Sequence, residues 1–216
     1  MKESQKELEY REKYGFLPDT REELLLYLEK TLKLDMDKIA AEEERINSIP
    51  WNRIHIEAMV VPHGSPRPRL GGGHFYVKGA AETKRYFKRI VTENRIICTR
   101  TNYFLTLFMP TPVSQMNKTE IYLAEKGVIM PTSTSDWDNL AKTYTDCLQG
   151  ILLLNDNQIN PGGVVKYFSI RPRVEIDIAY QESFDSRYNE RKVTNTKGFN
   201  ELLNSGKIYD KGVFLL

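Results

Sequence analysis

Cysteine is scarce in this chain: Cys98 and Cys147 are the only two among 216 residues. Their spacing fits no metal-ligand pattern, so neither a disulfide framework nor a zinc site is expected. The three histidines, His55, His63 and His74, stand in no HxH or HExxH arrangement, which excludes the usual transition-metal centres. No apolar run approaches the ~18 residues needed to span a bilayer. The opening Met1-Lys2-Glu3-Ser4-Gln5-Lys6-Glu7 lacks the apolar core of a secretory signal. A soluble protein of a reducing cytoplasm is the expectation. Internal repeats and low-complexity tracts are absent as well.

A charge of one sign is also missing. The chain carries 31 basic and 29 acidic side chains, a net of +2, which argues against a polycationic DNA packager. Resolved along the chain, the balance is uneven. Residues 1–50 hold 9 basic and 13 acidic groups (net −4), residues 51–130 hold 12 and 5 (net +7), and residues 131–216 hold 10 and 11 (net −1). The middle third is therefore a candidate polyanion-facing surface.

Three regions are expected: a helical N-terminal extension over 1–49, a core over 50–182 and a polar, loosely attached tail over 183–216. In the extension, Thr20 followed by Glu23 forms a capping-box pattern, and Leu24, Leu25, Leu28, Leu32 and Leu34 follow at roughly helical spacing. Such a hairpin of helices suits a dimerisation arm or a cap on the core. From Trp51 the texture changes to strands: residues 54–61, a short one at 74–78, then 96–109, 121–130, 164–170 and 173–180. A basic helix is expected over 80–92. The best-supported helix spans about 136–149, where Leu140, Tyr144, Cys147, Leu148 and Ile151 fall on one stripe. The whole reads as an α+β fold, a mixed β-sheet packed against two main helices.

The opposite face of that helix holds Asp138, Lys142 and Asp146, each four residues from the next. Asp136 stands at its entry, and Asp156 comes from the following Asp156-Asn157-Gln158. Carboxylates from a helix start and a neighbouring loop are hard oxygen ligands suited to Mg²⁺, which can activate a water against a phosphodiester. A lysine one turn away can stabilise charge that develops on the phosphate. Each residue also has an ordinary structural use: aspartates favour helix N-termini, Lys142 can pair with Asp138 or Asp146, and Asp156-Asn157 suits a turn.

Taken together, Asp136-x-Asp138-Asn139-x-x-Lys142-x-x-x-Asp146-x-Leu148-x-Gly150 and the following Asp156-x-Gln158 resemble the motif of the RusA family of Holliday-junction resolvases. Upstream, Ser65-Pro66-Arg67-Pro68-Arg69, a glycine stretch and His74-Phe75-Tyr76 resemble a segment of phage-encoded members, and the likeness spans about residues 52–180. It implies a Mg²⁺-dependent (Mn²⁺ also serving) endodeoxyribonuclease that nicks four-way DNA junctions as a homodimer. It places metal ligands at Asp136, Asp138 and Asp156 and a catalytic lysine at Lys142. Many members carry paired aspartates before the glutamine, whereas this chain has Asn155-Asp156. A catalytically idle junction-binding protein, or a nuclease preferring flaps or forks, is the alternative. For DNA contact the candidates are Arg67 and Arg69, in a proline-stiffened segment, and Lys84, Arg85, Lys88 and Arg89, at one-turn spacing on the basic helix. Tyr76, Tyr86, Phe87 and Phe104 are expected in the core rather than as base-stacking groups. Glu175 and Asp177 should share a solvated strand face.

Overall fold

The computed structural model describes residues 4–64, 69–71, 74–76, 80–133, 135–184, 196–210 and 213–215. They divide into two compact units, Met1–Ser48 and Ile49–Leu216.

The first unit holds three helices, α1 (Gln5–Tyr14), α2 (Arg21–Leu32) and α3 (Met36–Asn47). Local chemistry starts each of them. Ser4 and Glu7 form a reciprocal capping box, the Thr20 hydroxyl accepts from the Glu23 amide at 3.3 Å, and Asp35 accepts from that of Lys38 at 3.2 Å. No residue of the three helices is buried, and Leu25 and Leu32 are about 60% exposed, so the leucine stripe lies open to solvent.

The second unit is built on a four-stranded sheet in the order β1 (Trp51–Ala58), β7 (Arg173–Gln181), β5 (Thr101–Pro110), β6 (Ile159–Ser169). β7 runs antiparallel to β1 and β5, while β5 and β6 are parallel, so the sheet is mixed as expected. A parallel pair needs a long crossover, and here it contains α5 (Lys118–Glu125) and α6 (Trp137–Leu148). The inward residues Ile56, Ala58, Leu105, Leu107, Val174, Ile176 and Ile178 form one core with Phe87 of α4 (Ala80–Ile90) and Leu140, Tyr144 and Leu148 of α6. These are the two main helices of the expected α+β architecture. The other face of the sheet is solvated: Arg53, His55, Glu57, Phe104 and Asp177 are exposed. On it Arg173 lies 2.6 Å from Glu175 and 3.5 Å from the centre of the Phe108 ring, and His55 meets Asp177 at 2.8 Å.

Three local expectations are corrected. Residues 121–130 are not a strand; α5 occupies their first half, nucleated by a capping box in which Asn117 and Glu120 exchange backbone-to-side-chain bonds of 2.8 and 3.0 Å. The apolar run 96–109 is two strands, because β4 (Arg95–Ile97) leaves for a second sheet. That sheet, ordered β4, β9 (Val213–Leu215), β8 (Ile208–Asp210), overturns the loosely attached tail over the described part of 183–216. Phe199 of α7 (Lys197–Asn204) is buried with Ile96 and Cys98, so a few apolar residues in a polar stretch suffice to dock it. A hairpin of β2 (Arg69–Gly71) and β3 (His74–Tyr76) completes the described strands.

Candidate active site and nucleic-acid face

α6 is the element on which the candidate site is built. Its inward stripe of Leu140, Tyr144, Cys147 and Leu148 is buried, and two mid-helix threonines satisfy their hydroxyls on the preceding turn, Thr143 to the Asn139 carbonyl and Thr145 to that of Ala141, both at 2.7 Å. With one face committed to the core, Asp138, Lys142 and Asp146 are left exposed on the other. Asp136 occupies the N-cap position, yet its carboxylate makes no capping bond to the helix. Among the described residues, none of Asp136, Asp138, Lys142, Asp146 and Asp156 enters an ion pair, so the i,i+4 pairing open to Lys142 is not made.

Asp156 opens a single 3-10 turn, Asp156–Gln158, that leads directly into β6. Two neighbours lock this turn. The Asn155 side chain accepts from the Asn157 amide at 3.1 Å, so this asparagine serves as a cap. Gln158 accepts from the Asn155 amide through Oε1 at 3.1 Å. Its Nε2 donates to the carbonyls of Ile97 (3.0 Å) and Thr99 (3.2 Å) and lies 3.0 Å from the Thr101 hydroxyl. Gln158 therefore ties the Asp156 turn to the segment that leads from β4 into β5. The reciprocal Asn155/Gln158 capping box is visible in the sequence as Asn-x-x-Gln, but the contacts to residues 97–101 depend on topology.

The donor set consists of exposed carboxylate oxygens without an ion-pair partner among the described residues, which fits a hard cation. Among the described residues, however, no three carboxylate, histidine or cysteine groups come together closely enough to hold a metal ion. Mg²⁺ commonly takes one or two carboxylates and completes its shell with water and phosphate oxygens, so the residues present suit it without a closed protein cage.

The approach to the site is fastened from the other side. The Tyr86 hydroxyl accepts from the Met59 amide at 3.2 Å and the Tyr144 hydroxyl from the His63 amide at 3.0 Å, while His63 Nε2 lies 3.0 Å from the Thr83 hydroxyl. Gly64 sits so close to α6 that an added Cβ would fall 2.5 Å from the Asn139 side-chain nitrogen. The chain at Gly64 thus lies against the start of α6. Arg67 lies outside the described residues, and of Arg69 only the strand position is described.

On α4, Arg85, Lys88 and Arg89 are exposed, Arg89 standing 5.3 Å over the Tyr86 ring. Lys84 has a different use: its ammonium donates to the Gln149 carbonyl at 2.7 Å, neutralising the C-terminal end of α6. Phe87 is fully buried and Tyr86 half-buried, whereas Phe104, expected in the core, is 48% exposed because it points to the solvated sheet face. Tyr76 is described only as a strand position. Burial alone pushes the Cys98 thiol up to about 12. It also raises the Cys147 thiol to about 11, with Lys84 lowering and Asp146 raising it further, so neither is a reactive nucleophile at neutral pH. No helix among the described residues is long and apolar enough to cross a membrane.

Comparison with known proteins covers this same ground. The family model for endodeoxyribonuclease RusA matches residues 59–179, just over half of the chain. The chain is also similar to the uncharacterized protein YqaN of Bacillus subtilis (strain 168), at 32% identity over 126 residues, which cover 55% of this chain and 88% of that one. The matched stretch holds α4, α6, the Asp156 turn and the sheet strands β5 and β6, and it leaves out α1–α3. The chain therefore belongs to the RusA family, endodeoxyribonucleases that hydrolyse DNA at Holliday junctions.

Proposed function

We propose that this chain is a Mg²⁺-dependent endodeoxyribonuclease that cuts four-way junctions through Asp136, Asp138, Lys142 and Asp156, acting as a homodimer in the cytoplasm. One observation carries the reading: a helix whose inner face is consumed by the core presents two unpaired carboxylates at its start and an unpaired lysine one turn on. The helix dipole alone accounts for aspartates at this end but not for the exposed lysine one turn on, and the clustering of both signs at one helix entry supports a use toward a ligand.

In this reading Asp136, Asp138 and Asp156 would hold the cation. When bound, Mg²⁺ supplies an acidic water and neutralises charge at the scissile phosphate. Lys142 donates hydrogen bonds to the phosphate oxygens as negative charge accumulates on them. Gln158 and Asn155 fix the turn that presents Asp156. Arg85, Lys88 and Arg89, with Arg67 and Arg69, bind the phosphate backbone of the arms. Symmetric incision of two strands requires two sites related by a two-fold axis, which a dimer of this chain provides.

A second reading, DNA binding without cleavage, is favoured by the absence of a three-carboxylate cluster among the described residues. One experiment separates the two. The wild type and D138N are compared on a synthetic four-way junction, a flap and a linear duplex, with Mg²⁺ or Mn²⁺. The enzyme reading expects the wild type to cut the junction, and D138N to bind it with similar affinity while cutting nothing. A wild type that binds but never cuts establishes the second reading, and preferred cutting of the flap shifts the substrate to flaps or forks.

A further inference from the structure

Between the two carboxylates at the start of α6 stands Trp137, and its side chain is 54% exposed. Its one polar atom is already satisfied. The indole Nε1 donates to the carbonyl of Val164 at 3.1 Å, in β6, the edge strand of the main sheet. Two residues before Trp137, the Ser135 carbonyl accepts from the Lys166 ammonium at 3.4 Å, so β6 holds the entry to α6 at the tryptophan and just before it. The ring is thereby held in one orientation with its N–H turned inward. What remains in solvent is aromatic carbon, flanked in the chain by the carboxylates of Asp136 and Asp138.

A clip between α6 and β6 does not by itself call for an indole. A glutamine or lysine could donate to the same carbonyl without leaving half an indole in water. The part of a nucleic acid that an oriented aromatic face accepts is a nucleobase, and every base offers a π-face. In duplex DNA that face is covered by its neighbours, and uncovering it costs a few kcal/mol; at a branch point stacking is already interrupted. An oriented tryptophan beside the candidate carboxylates therefore finds a stacking partner only where a base is free.

We propose that Trp137 is a base-stacking subsite that takes an unstacked nucleobase flanking the scissile phosphate, and so contributes to the choice of branched over linear DNA. This inference rests on the DNA-cleaving assignment of Asp136 and Asp138. It makes Trp137 a specificity-determining residue rather than a catalytic one.

The test is binding of wild type, W137A and W137F in EDTA, so that no strand is cut, to a four-way junction carrying 2-aminopurine at the crossover and to a linear duplex of the same sequence. Alanine removes both the ring and the N–H, whereas phenylalanine keeps a stacking face and loses only the bond to Val164. We expect W137A to bind the junction about tenfold more weakly, with duplex affinity little changed and the same dependence on salt, because no phosphate contact is lost. W137F should retain most of the wild-type affinity. The 2-aminopurine emission should change on binding of wild type and W137F and stay constant with W137A. A W137A variant that binds the junction like the wild type, or a W137F variant as weak as W137A, overturns the subsite and leaves Trp137 a clip. If W137A does not fold, the emission of Trp137 in W51F decides: quenching by the junction supports the proposal and constant emission overturns it. A wild type that binds no junction refutes the DNA-cleaving assignment itself, and the subsite with it; a wild type that binds and cuts while W137A matches it refutes the subsite alone.

Discussion

Gln158 is the side chain whose removal should couple stability to the site most directly. Its amide makes four contacts, one accepted from Asn155 and three directed at Ile97, Thr99 and Thr101. In Gln158→Ala these groups lose their partner. At about 1 kcal/mol net per bond the ceiling is about 4 kcal/mol. The position is half-buried, and water can reach some of the orphaned groups, so we expect a loss of about 2–3 kcal/mol. For a unit of this size that corresponds to a melting temperature lower by about 4–12 °C. Gln158→Glu keeps the acceptor toward Asn155 but turns a carboxylate on two carbonyl oxygens, so it should be at least as harmful. Urea unfolding followed by circular dichroism measures the stability, and junction cleavage under conditions where the variant is folded measures the site. Because Asp156 lies two residues away in the turn that Gln158 anchors, cleavage should fall by about tenfold or more even in folded protein. A Gln158→Ala variant within about 0.5 kcal/mol of the wild type, with unchanged cleavage, would refute the claim that this amide positions Asp156.

Three further outcomes follow from other contacts. Replacing Arg85, Lys88 and Arg89 by alanine should flatten the dependence of junction affinity on salt, the slope of log K against log salt falling by about 2.7 in magnitude if each meets a phosphate; an unchanged slope removes α4 from the interface. Tyr144→Phe deletes the acceptor of the His63 amide and should cost about 1–3 kcal/mol, read by urea unfolding; a neutral result would mean that the bond does not hold the 59–64 loop. Burial pushes Cys98 and Tyr144 up to about 12 and Cys147 to about 11. Above their ordinary values the unfolded chain releases these protons while the folded chain keeps them, so the folded state binds more protons and stability falls as pH rises. The urea midpoint should therefore decline from about pH 9 upward, both thiols should resist Ellman's reagent at pH 8 until the protein unfolds, and a midpoint that stays level to pH 11 contradicts this burial.

The parts of the molecule legible in the sequence are those whose cause is local. α6 is the clearest: Leu140, Tyr144, Cys147 and Leu148 can share a buried stripe only if the backbone is helical, and that same periodicity forces Asp138, Lys142 and Asp146 outward. The capping boxes at Asn117/Glu120 and Asn155/Gln158 are equally local, and the first of them marks a helix over 118–125, where the strand expected over 121–130 begins. Strand pairing is different in kind. The split of 96–109 between two sheets, and the docking of Phe199 and Val213 onto β4 and its neighbours, depend on residues a hundred positions apart. No window of the sequence contains both partners.

The same distinction governs the site. Charge and spacing single out Asp136, Asp138, Lys142 and Asp156, but the contacts that fix their elements come from elsewhere in the chain: Val164 at the indole of Trp137 and Gly64 against Asn139 for α6, Ile97 and Thr99 at Gln158 for the Asp156 turn. Lys84 shows why a charge count is not a contact count. It lies one turn from Lys88 in the basic segment with its net of +7, yet its ammonium is directed at the end of α6, where it neutralises the terminal carbonyl of the helix that carries the acidic residues. A cation used in that way is tied to the end of α6, which leaves fewer of its donors for a phosphate. The electrostatic grip of the basic segment should therefore be weaker than its formal charge suggests. Discrimination among DNA structures then falls more heavily on groups that read something other than phosphate, and beside the candidate carboxylates the exposed, oriented group of that kind is Trp137.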